Sequence, residues 1–288
     1  MIVDDFIKYF SSVLGRTKRT CEEYRKEIIF FSKTLEQKEN LDNTLLNVKK
    51  KDVIKYIESC SSLATSTRAR KISMLRSFYK WCVEMSYIEE NPVEGIARPR
   101  VVQNPPKYLT LNQVKNLVGS VHSTPDEFYR KRNTAIILVF VTCGLRLTEL
   151  TTITLQDIYD DCIRIKGKGG KERYVYLIDS CKDAIQEWME IRGSKPGHLF
   201  TSRERKGLVP NTVSVMVKGE LRKVGLDHFS THTLRHTAAT LLYRYGNVDI
   251  RTLQTILGHA SVSTTEIYTH VVNEQIIEAM EKHPLNHL

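Results

Sequence analysis

Four segments of this 288-residue sequence carry side chains that could do chemistry. The first two place a cation at a helix end or in a turn. Gly144 is predicted to end an apolar helix, so that Arg146 emerges just beyond it. Lys168 lies in a glycine-flanked hairpin turn, where the backbone can approach a phosphate and a lysine can give up a proton. Taken singly, an arginine after a helix stop is common, and a glycine-rich hairpin is more often a solvated turn.

The third segment predicts the first turn of a helix with Thr231 as its N-cap. His232 then lies in that turn, and Arg235 follows three residues later on the same face. Both side chains are placed beside the positive end of the helix dipole, where anions bind. The buried face of this helix is predicted to comprise Leu234, Ala238, Leu241 and Tyr245.

The histidine spacing around this turn allows a second interpretation. His228, His232 and His236 are four residues apart, and histidines at that spacing on a helix can bind zinc. No carboxylate that could act as a further ligand is near in sequence, and His228 is expected to precede the helix. A buried, hydrogen-bonded His236 is therefore favoured over a metal site.

The fourth segment begins after Gly258, which is predicted to end a helix and to leave His259 on the following loop. Ser263 and Glu266 form a capping box that starts a short helix, and Tyr268 lies on that helix. An isolated tyrosine near a helix end usually serves packing. Together, however, the four segments supply arginines, histidines, a lysine and a tyrosine, the groups that metal-free phosphodiester transfer requires.

The first hundred residues are predicted to form a small helical bundle that would carry part of the binding surface. Apolar stripes predict helices over residues 4–14, 20–37 and 52–59 and after Thr65. Basic side chains line the last of these helices and could form either a DNA-facing surface or a solvated face. They are Arg68, Arg70, Lys71 and Arg76.

A proline-rich stretch marks the boundary between two domains. Four of the eight prolines lie between residues 92 and 106, and they favour an extended, basic linker. We predict a helical domain over residues 1–97, a linker over 98–107 and a second domain over 108–288. The second domain is predicted to have helices over 111–118 and 133–143, two or three short strands near 162–165 and 173–178, and helices thereafter. The fold class is therefore mainly α with a small antiparallel β-sheet.

Composition favours a polyanionic partner. The chain has 43 basic and 33 acidic residues, a net charge of +10. Residues 1–100 carry 19 basic and 14 acidic side chains, so half of the excess lies in each part. An even distribution suits two folded modules that touch the same phosphate backbone, although a basic enzyme without a nucleic-acid role would also fit the charge.

The sequence indicates a cytoplasmic protein. Its six cysteines show no paired spacing typical of a disulfide framework or a zinc ribbon. The N-terminal residues lack the pattern of a signal peptide, and the longest apolar run is too short to cross a bilayer. We therefore expect no membrane association and a place at the nucleoid.

The four segments together resemble the motif set of the tyrosine recombinases, and their order and spacing are most similar to the Xer type found in bacteria and archaea. The motifs are Gly-Leu-Arg146-Leu-Thr-Glu149, Gly-Lys168-Gly-Gly-Lys-Glu-Arg, His232-Thr-Leu-Arg235-His and Leu-Gly-His259 followed by Ile-Tyr268-Thr-His. The resemblance implies a two-domain, C-shaped clamp around duplex DNA, with a core-binding domain over residues 1–97 and a catalytic domain over residues 108–288.

The resemblance also implies a role for each matched residue. Arg146 and Arg235 would hold the non-bridging oxygens of the scissile phosphate, and Glu149 would orient Arg146. His232 would assist loss of the nucleophile's proton. His259 would hydrogen-bond a phosphate oxygen, Lys168 would protonate the leaving 5′-oxygen, and Tyr268 would become joined to the 3′-phosphate. No metal and no other cofactor is expected.

The implied function is site-specific recombination, with resolution of chromosome or plasmid dimers as the main interpretation. The compact length favours this role over a large phage integrase. An integrase of a small mobile element is the nearest alternative, and a type IB topoisomerase would share the chemistry without needing synapsis. From a different class, a DNA-binding regulator without catalytic activity is disfavoured by the complete residue set.

The tail is predicted to form an amphipathic helix over residues 273–282, with Ile276, Ile277 and Met280 on its apolar face. So short a helix is marginal alone and must dock. It could cover its own domain, or, as the resemblance implies, pack into a neighbouring protomer and link a homotetramer on two DNA sites. A DNA translocase that activates the enzyme is a further partner consistent with the resemblance.

Overall fold

The computed structural model describes residues 1–35, 40–100, 106–167, 172–246 and 248–258, and the chain divides into two compact units, residues 1–103 and 104–288. The described part is mostly helical with one two-stranded antiparallel sheet, as predicted. None of the helices described is long and apolar enough to span a membrane. All six cysteines carry free thiols.

The first unit contains five described helices around an aromatic core. They are α1 (Ile2–Ser12), α2 (Lys18–Ser32), α3 (Leu41–Leu46), α4 (Lys50–Ser59) and α5 (Thr65–Glu84). The rings of Phe6, Phe78 and Trp81 pack together inside this bundle at centroid distances of 5.3 to 6.2 Å. Apolar side chains spaced one helical turn apart thus bury a common face.

In the first unit, the predicted bounds of the second helix were wrong and one short helix was missed. The second helix begins at Lys18, because the Thr17 hydroxyl accepts a hydrogen bond from the Thr20 N–H, and it ends at Ser32 rather than at residue 37. The short helix α3 was not predicted. Its six residues are too few to show an apolar period, and the signal for it is its cap, where the Asn40 side chain accepts from the Asn43 N–H.

The second unit surrounds a central buried helix, α7, and carries the sheet on one side. Its elements are α6 (Leu111–His122), α7 (Glu127–Cys143), α8 (Leu147–Thr152), a 3-10 turn (Leu155–Asp157), β1 (Cys162–Lys166), β2 (Glu172–Tyr176), α9 (Asp179–Arg192), α10 (Pro210–Lys223), α11 (Thr231–Tyr245) and α12 (Ile250–Leu257). Helices α6, α9 and α11 pack against α7, which explains why its second half, residues 135–141, is apolar on every side.

The sheet is a hairpin whose inner face joins the core. Ile163 pairs with Val175, and Ile165 pairs with Arg173. Ile163, Ile165 and Val175 are buried, whereas Tyr174 on the opposite face is exposed. The alternation places Arg173, a charged residue, on the core-facing side of β2.

Candidate active site

Gly144 lets the end of α7 pack directly against two other helices. It ends α7 in the left-handed conformation with φ of 61°, as predicted. A side-chain carbon at this position would lie 2.8 Å from Cδ2 of Leu257 on α12 and 3.3 Å from Cβ of Ala238 on α11. Glycine alone combines this φ with so close an approach, so three helices meet where the chain turns toward Arg146.

The buried carboxylate of Glu149 is shared by three arginines. Arg146 donates to it from its backbone N–H at 2.9 Å and from Nη1 at 2.7 Å. Arg173 on β2 donates from Nη1 and Nη2 to the two carboxylate oxygens at 3.0 and 2.9 Å. Nη1 of Arg235 on α11 lies 3.9 Å from the same carboxylate. Three positive charges thus share one negative charge, which leaves the cluster with an excess of two.

The same three guanidinium groups bind three consecutive backbone carbonyls where α12 ends. The contacts run from Arg173 Nε to Ile256 at 3.2 Å, from Arg235 Nη2 to Leu257 at 2.8 Å and from Arg146 Nη2 to Gly258 at 3.1 Å. Carbonyls in the last turn of a helix have no partner within the helix, and the dipole makes this end negative. The arginine cluster therefore fixes the point at which the chain leaves α12.

The three arginines differ in their access to solvent. The side chain of Arg146 is 42% exposed, whereas those of Arg173 and Arg235 are 14% and 4% exposed. Arg235 also donates from Nη1 to the carbonyl of Gly144 at 2.7 Å. Among the described residues of the cluster, Arg146 thus presents most of the positive charge to an approaching anion.

Glu149 is ionised throughout the neutral range. Burial alone would raise its pKa, but hydrogen bonds from Arg173 and from both the backbone and the side chain of Arg146 outweigh burial and lower the pKa to about 2. A buried charge needs such partners to be stable. The carboxylate consequently holds the arginines in place without titrating near pH 7.

His232 and His236 form an edge-to-face pair, with ring centroids 4.6 Å apart, at the start of α11. Loss of hydration and the charges of Arg235 and Arg146 lower the pKa of His232. Burial, with smaller contributions from His232 and Arg235, lowers the pKa of His236 to about 4. Both rings are therefore neutral at pH 7, the state in which an imidazole can accept a proton.

The local prediction for α11 needs two corrections. Its N-cap is Ser230 rather than Thr231, because the helix already begins at Thr231. Tyr245 was placed on the buried face but is 65% exposed, since it lies in the last turn, beyond the part of α11 that contacts the core. Leu234 and Ala238 are fully buried, as predicted.

No group of three or more histidine, cysteine or acidic side chains suited to a metal ion occurs within the described ranges. His228, the outermost member of the predicted histidine series, precedes α11, and its ring centroid lies 4.1 Å from that of Phe229. His232 and His236 face each other rather than a common third ligand among the described residues. The histidine spacing thus has a packing explanation in α11.

A second buried carboxylate fixes the root of the β-hairpin. Asp157 accepts from Nε and Nη2 of Arg164 at 3.0 and 2.8 Å, and Lys166 Nζ lies 3.2 Å away. Burial would raise the pKa of Asp157, but hydrogen bonds from Thr154 and Arg164 lower it well below its usual range. Asp157 thus holds β1, while Glu149 holds β2 through Arg173.

The predicted site residues fall into two groups. Arg146, Glu149, His232 and Arg235 come together around the ends of α7, α11 and α12. Lys168, His259 and Tyr268 lie outside the described residues, as does the predicted helix over residues 273–282. Their adjacent anchors are described, because Lys166 precedes Lys168 by two residues and Gly258 immediately precedes His259.

The basic residues predicted to face DNA on α5 differ in how they are held. Contacts within the first unit join Arg70 to Glu23, Lys71 to Glu27 and Arg76 to the carbonyl of Ile96. Lys71 is only 13% exposed, and the Tyr56 hydroxyl also lies 2.8 Å from its ammonium group. Arg70 is 58% exposed, and Arg68 lies one turn from Thr65 at the start of α5. Their contact with DNA stays a prediction.

Sequence reasoning missed Arg173 as a member of the cluster. It lies in the quoted lysine motif, five residues after Lys168, but no role was assigned to it. The available signal was the two-residue period of a strand. Arg173 lies two residues before the buried Val175 on β2, so both side chains are on the core-facing side. A charged residue at a core-facing strand position indicates a buried counter-ion.

Comparison with known proteins adds the family. Residues 107–275 match the phage integrase family, and residues 3–85 match the phage integrase N-terminal SAM-like domain. Tyrosine recombinase XerC of Caldanaerobacter subterraneus subsp. tengcongensis is 38% identical over an alignment of 311 residues. The alignment covers 99% of this chain and 87% of the relative.

Two solved structures share the fold. XerH recombinase bound to palindromic difH substrate in a post-cleavage complex superposes with a TM-score of 0.75 at 22% identity, covering 98% of this chain and 94% of that one. A lambda integrase tetramer bound to a Holliday junction gives a TM-score of 0.73 at 20% identity, covering 90% and 76% of the two chains.

Proposed function

The chain belongs to the phage integrase family as a site-specific tyrosine recombinase of the Xer type, and from this premise we propose that it cuts and rejoins duplex DNA through a 3′-phosphotyrosyl link to Tyr268. The observation that carries the proposal is the arginine cluster on Glu149, with its two excess positive charges. A phosphodiester in transfer spreads negative charge over its oxygens, and fixed cations stabilise that charge best.

Arg146 and Arg235 would neutralise the non-bridging oxygens of the scissile phosphate. Arg146 is the more exposed of the two, and both are oriented by Glu149 and by the end of α12. Because Glu149 is ionised at neutral pH, it keeps both arginines in this orientation near pH 7. His232, neutral at pH 7, would accept the proton that the tyrosine hydroxyl loses.

In the proposed cleavage step the Tyr268 oxygen attacks phosphorus and the bond from phosphorus to the 5′-oxygen breaks. The tyrosine proton passes to His232, and Lys168 gives a proton to the leaving 5′-oxygen. Religation is the reverse, with the 5′-hydroxyl of a partner strand as nucleophile. Phosphodiester bonds are thereby conserved and no external energy source is needed.

The hairpin root and the end of α12 support the roles of Lys168 and His259. Asp157 and Glu149 fix the two strands that flank Lys168 in the sequence. Carbonyl contacts from three arginines, one to each residue, fix the backbone of residues 256–258, and Gly258 is the residue before His259. A side chain that must meet a reacting atom profits from a rigid support.

The DNA partner is proposed to be a duplex recombination site bound by both units. The positive charge is shared evenly between the two parts of the chain, as expected when both contact phosphates. XerH is bound to a palindromic substrate in its solved structure. By likeness of fold, we propose a site with two inverted half-sites here.

A homotetramer on two sites is proposed by likeness of fold to the lambda integrase tetramer bound to a Holliday junction. As the resemblance to the Xer type implies, the tail is proposed to link its four protomers. Deletion of residues 273–288 should then preserve binding to a single site and abolish strand exchange between two sites. A truncated protein that recombines two sites at the normal rate would exclude tail exchange from the mechanism.

Dimer resolution is the proposed biological role, and the choice of DNA sites distinguishes it from integration. Genomic fragments bound by the protein would be selected, and the selected site would be cloned as a direct repeat on one plasmid. A resolvase should convert this plasmid into two circles by recombining identical sites. Recombination that occurs only between two different sites would indicate an integrase of a mobile element.

A further inference from the structure

Arg173 uses all three of its guanidinium nitrogens in contacts with two separate parts of the second unit. Nη1 and Nη2 form the two-pronged contact with Glu149 at 3.0 and 2.9 Å, and Nε donates to the carbonyl of Ile256 at 3.2 Å. The side chain is 14% exposed. An arginine held in this way links two parts of the fold and is not a free surface cation.

The position of Arg173 connects three catalytic segments. Through Glu149 it contacts the residue that holds Arg146. On β2 it pairs with Ile165 of β1, and Lys168 lies between these two strands in the sequence. Through Ile256 it contacts α12 three residues before His259.

Gly258 packs closely against the guanidinium group of Arg173. A side-chain carbon at Gly258 would lie 2.9 Å from Nη1 and 3.0 Å from Cζ of Arg173. The chain therefore leaves α12 in direct contact with the flat guanidinium group. Gly258 has φ of 63°, so its left-handed conformation and this contact occur at the same residue.

We propose that Arg173 is a positioning residue for DNA cleavage, which sets Arg146, the hairpin of Lys168 and the exit of the chain toward His259 relative to one another. The proposal rests on the proposed function, since it concerns the same site. Arg173 acts through Glu149 and Ile256, and it is assigned no contact with the substrate.

Arg173→Lys is the informative substitution. Lysine keeps the positive charge beside Glu149, so the buried carboxylate retains a counter-ion and the fold is preserved. A single ammonium group cannot reproduce the fork on Glu149 together with the separate contact to Ile256. The variant thus loses the simultaneous contacts with Glu149 and Ile256 and retains the positive charge.

Arg192→Lys provides a control elsewhere in the second unit. Arg192, at the end of α9, is buried and also uses all three guanidinium nitrogens, with Nε and Nη2 donating to the carbonyl of His198 and Nη1 donating to the carbonyls of Gly193 and Lys195. None of these described hydrogen bonds involves the β-hairpin, Glu149 or α12. Loss of buried arginine contacts in general will lower the melting temperature of both variants, whereas loss of positioning will affect only Arg173→Lys.

The experiment measures single-turnover formation of the covalent adduct on a nicked suicide site, together with the dissociation constant for one site. Arg173→Lys should cleave about tenfold to a hundredfold more slowly, the scale expected when reacting groups are misplaced by about 1 Å. Its affinity for the site should stay within about threefold of the unsubstituted protein, because phosphate contacts elsewhere dominate binding. Arg192→Lys should cleave within about twofold of the unsubstituted rate, in line with substitutions away from the reacting groups.

A double-substitution cycle identifies the path of the effect. If Arg173 acts through Glu149, Arg173→Lys combined with Glu149→Gln should be no more than about threefold slower than the slower single variant. Fully multiplicative losses would show that the two residues act independently and would overturn the proposed path.

Gly258→Ala disturbs the contacts of Arg173 while Arg173 itself is retained, and Gly225→Ala is its control. Gly225 also has a positive φ, of 72°, but a side-chain carbon there meets nothing within 4 Å. Both substitutions impose backbone strain, and only that at Gly258 displaces the guanidinium group. Cleavage should fall at least about tenfold in Gly258→Ala alone.

The outcomes separate this proposal from the proposed function. If the unsubstituted protein forms no adduct on its site, the function itself is wrong. If the unsubstituted protein cleaves and Arg173→Lys, folded and bound to DNA, cleaves at the same rate, Arg173 is not a positioning residue. Equal losses in Arg173→Lys and Arg192→Lys would overturn the proposal in the same way, since they would reflect only the general effect of losing buried arginine contacts.

Discussion

The backbone N–H of Leu109 donates a hydrogen bond of 2.9 Å to the side-chain hydroxyl of Thr237, and neither residue is exposed to solvent. The same hydroxyl donates to the carbonyl of Thr233, so both its donor and its acceptor are used. Thr237 follows Arg235 by two residues on α11. The start of the second unit is thus attached to the helix that carries His232 and Arg235.

Thr237→Val should destabilise the protein by about 1–3 kcal/mol, because it leaves the buried N–H of Leu109 without an acceptor. Thr240→Val is the matched control, since Thr240 is equally buried on α11 and its hydroxyl has no hydrogen-bond partner among the described residues. Urea unfolding should show Thr240→Val to be as stable as the unsubstituted protein or more so. Equal losses in both variants would contradict the structural role of the Leu109 contact.

Glu149→Gln should alter the dependence of stability on pH. The pKa of Glu149 falls from 4.5 to about 2 on folding, so the unfolded chain takes up the proton first as the pH falls. Its contribution, about 3 kcal/mol by linkage, is present above pH 4.5 and is lost as the pH falls toward about 2.

The free energy of unfolding, measured in urea between pH 7 and pH 3, should therefore decline less steeply for Glu149→Gln below pH 4.5. The control is Glu190→Gln, which removes the same charge from the exposed surface of α9. A Glu149→Gln curve parallel to that of the control would show that the arginines do not stabilise the ionised carboxylate.

Lys168→Ala should slow cleavage by about a hundredfold or more, the usual scale of proton-transfer catalysis. A substrate with sulfur in place of the leaving 5′-oxygen needs no protonation, so it should restore cleavage by this variant. The rates on the two substrates would be compared in single turnovers. Without restoration, Lys168 would be a DNA contact instead of the general acid.

Cleavage should survive chelation of divalent metals with EDTA, because Arg146, Arg235 and Lys168 can supply the positive charge that a metal would bring. Adduct formation with and without EDTA provides the measurement. Activity that disappears on chelation and returns with zinc would support the alternative in which His228, His232 and His236 bind a metal.

The elements of the site that follow from local chemistry were predictable from the sequence. Gly144 and Gly258 end their helices in the left-handed conformation, as glycine at such positions indicates. Contacts between residues distant in sequence were not predictable. The pairing of Arg173 with Glu149 and Ile256 depends on how β2 and α12 pack against α8, and a sequence pattern within one segment does not contain that information.

The predicted DNA-facing residues of α5 illustrate the same limit. Charge spacing alone treats Arg70 and Lys71 alike, since both lie among basic residues on one helix. The fold separates them, because Glu27 and Tyr56 enclose Lys71 while Arg70 stays largely exposed. Counter-ions supplied by another helix are visible only once the helices are packed.

The measurement that tests the central claim most directly is the capture of a covalent intermediate on Tyr268. Incubation of the protein with a nicked suicide site should yield a protein–DNA adduct that survives SDS, and digestion should place the 3′-phosphate on the peptide that contains Tyr268. Tyr268→Phe should bind the same site and form no adduct, since phenylalanine lacks the attacking oxygen. An adduct of normal yield with Tyr268→Phe would contradict the assignment of the nucleophile and the mechanism built on it.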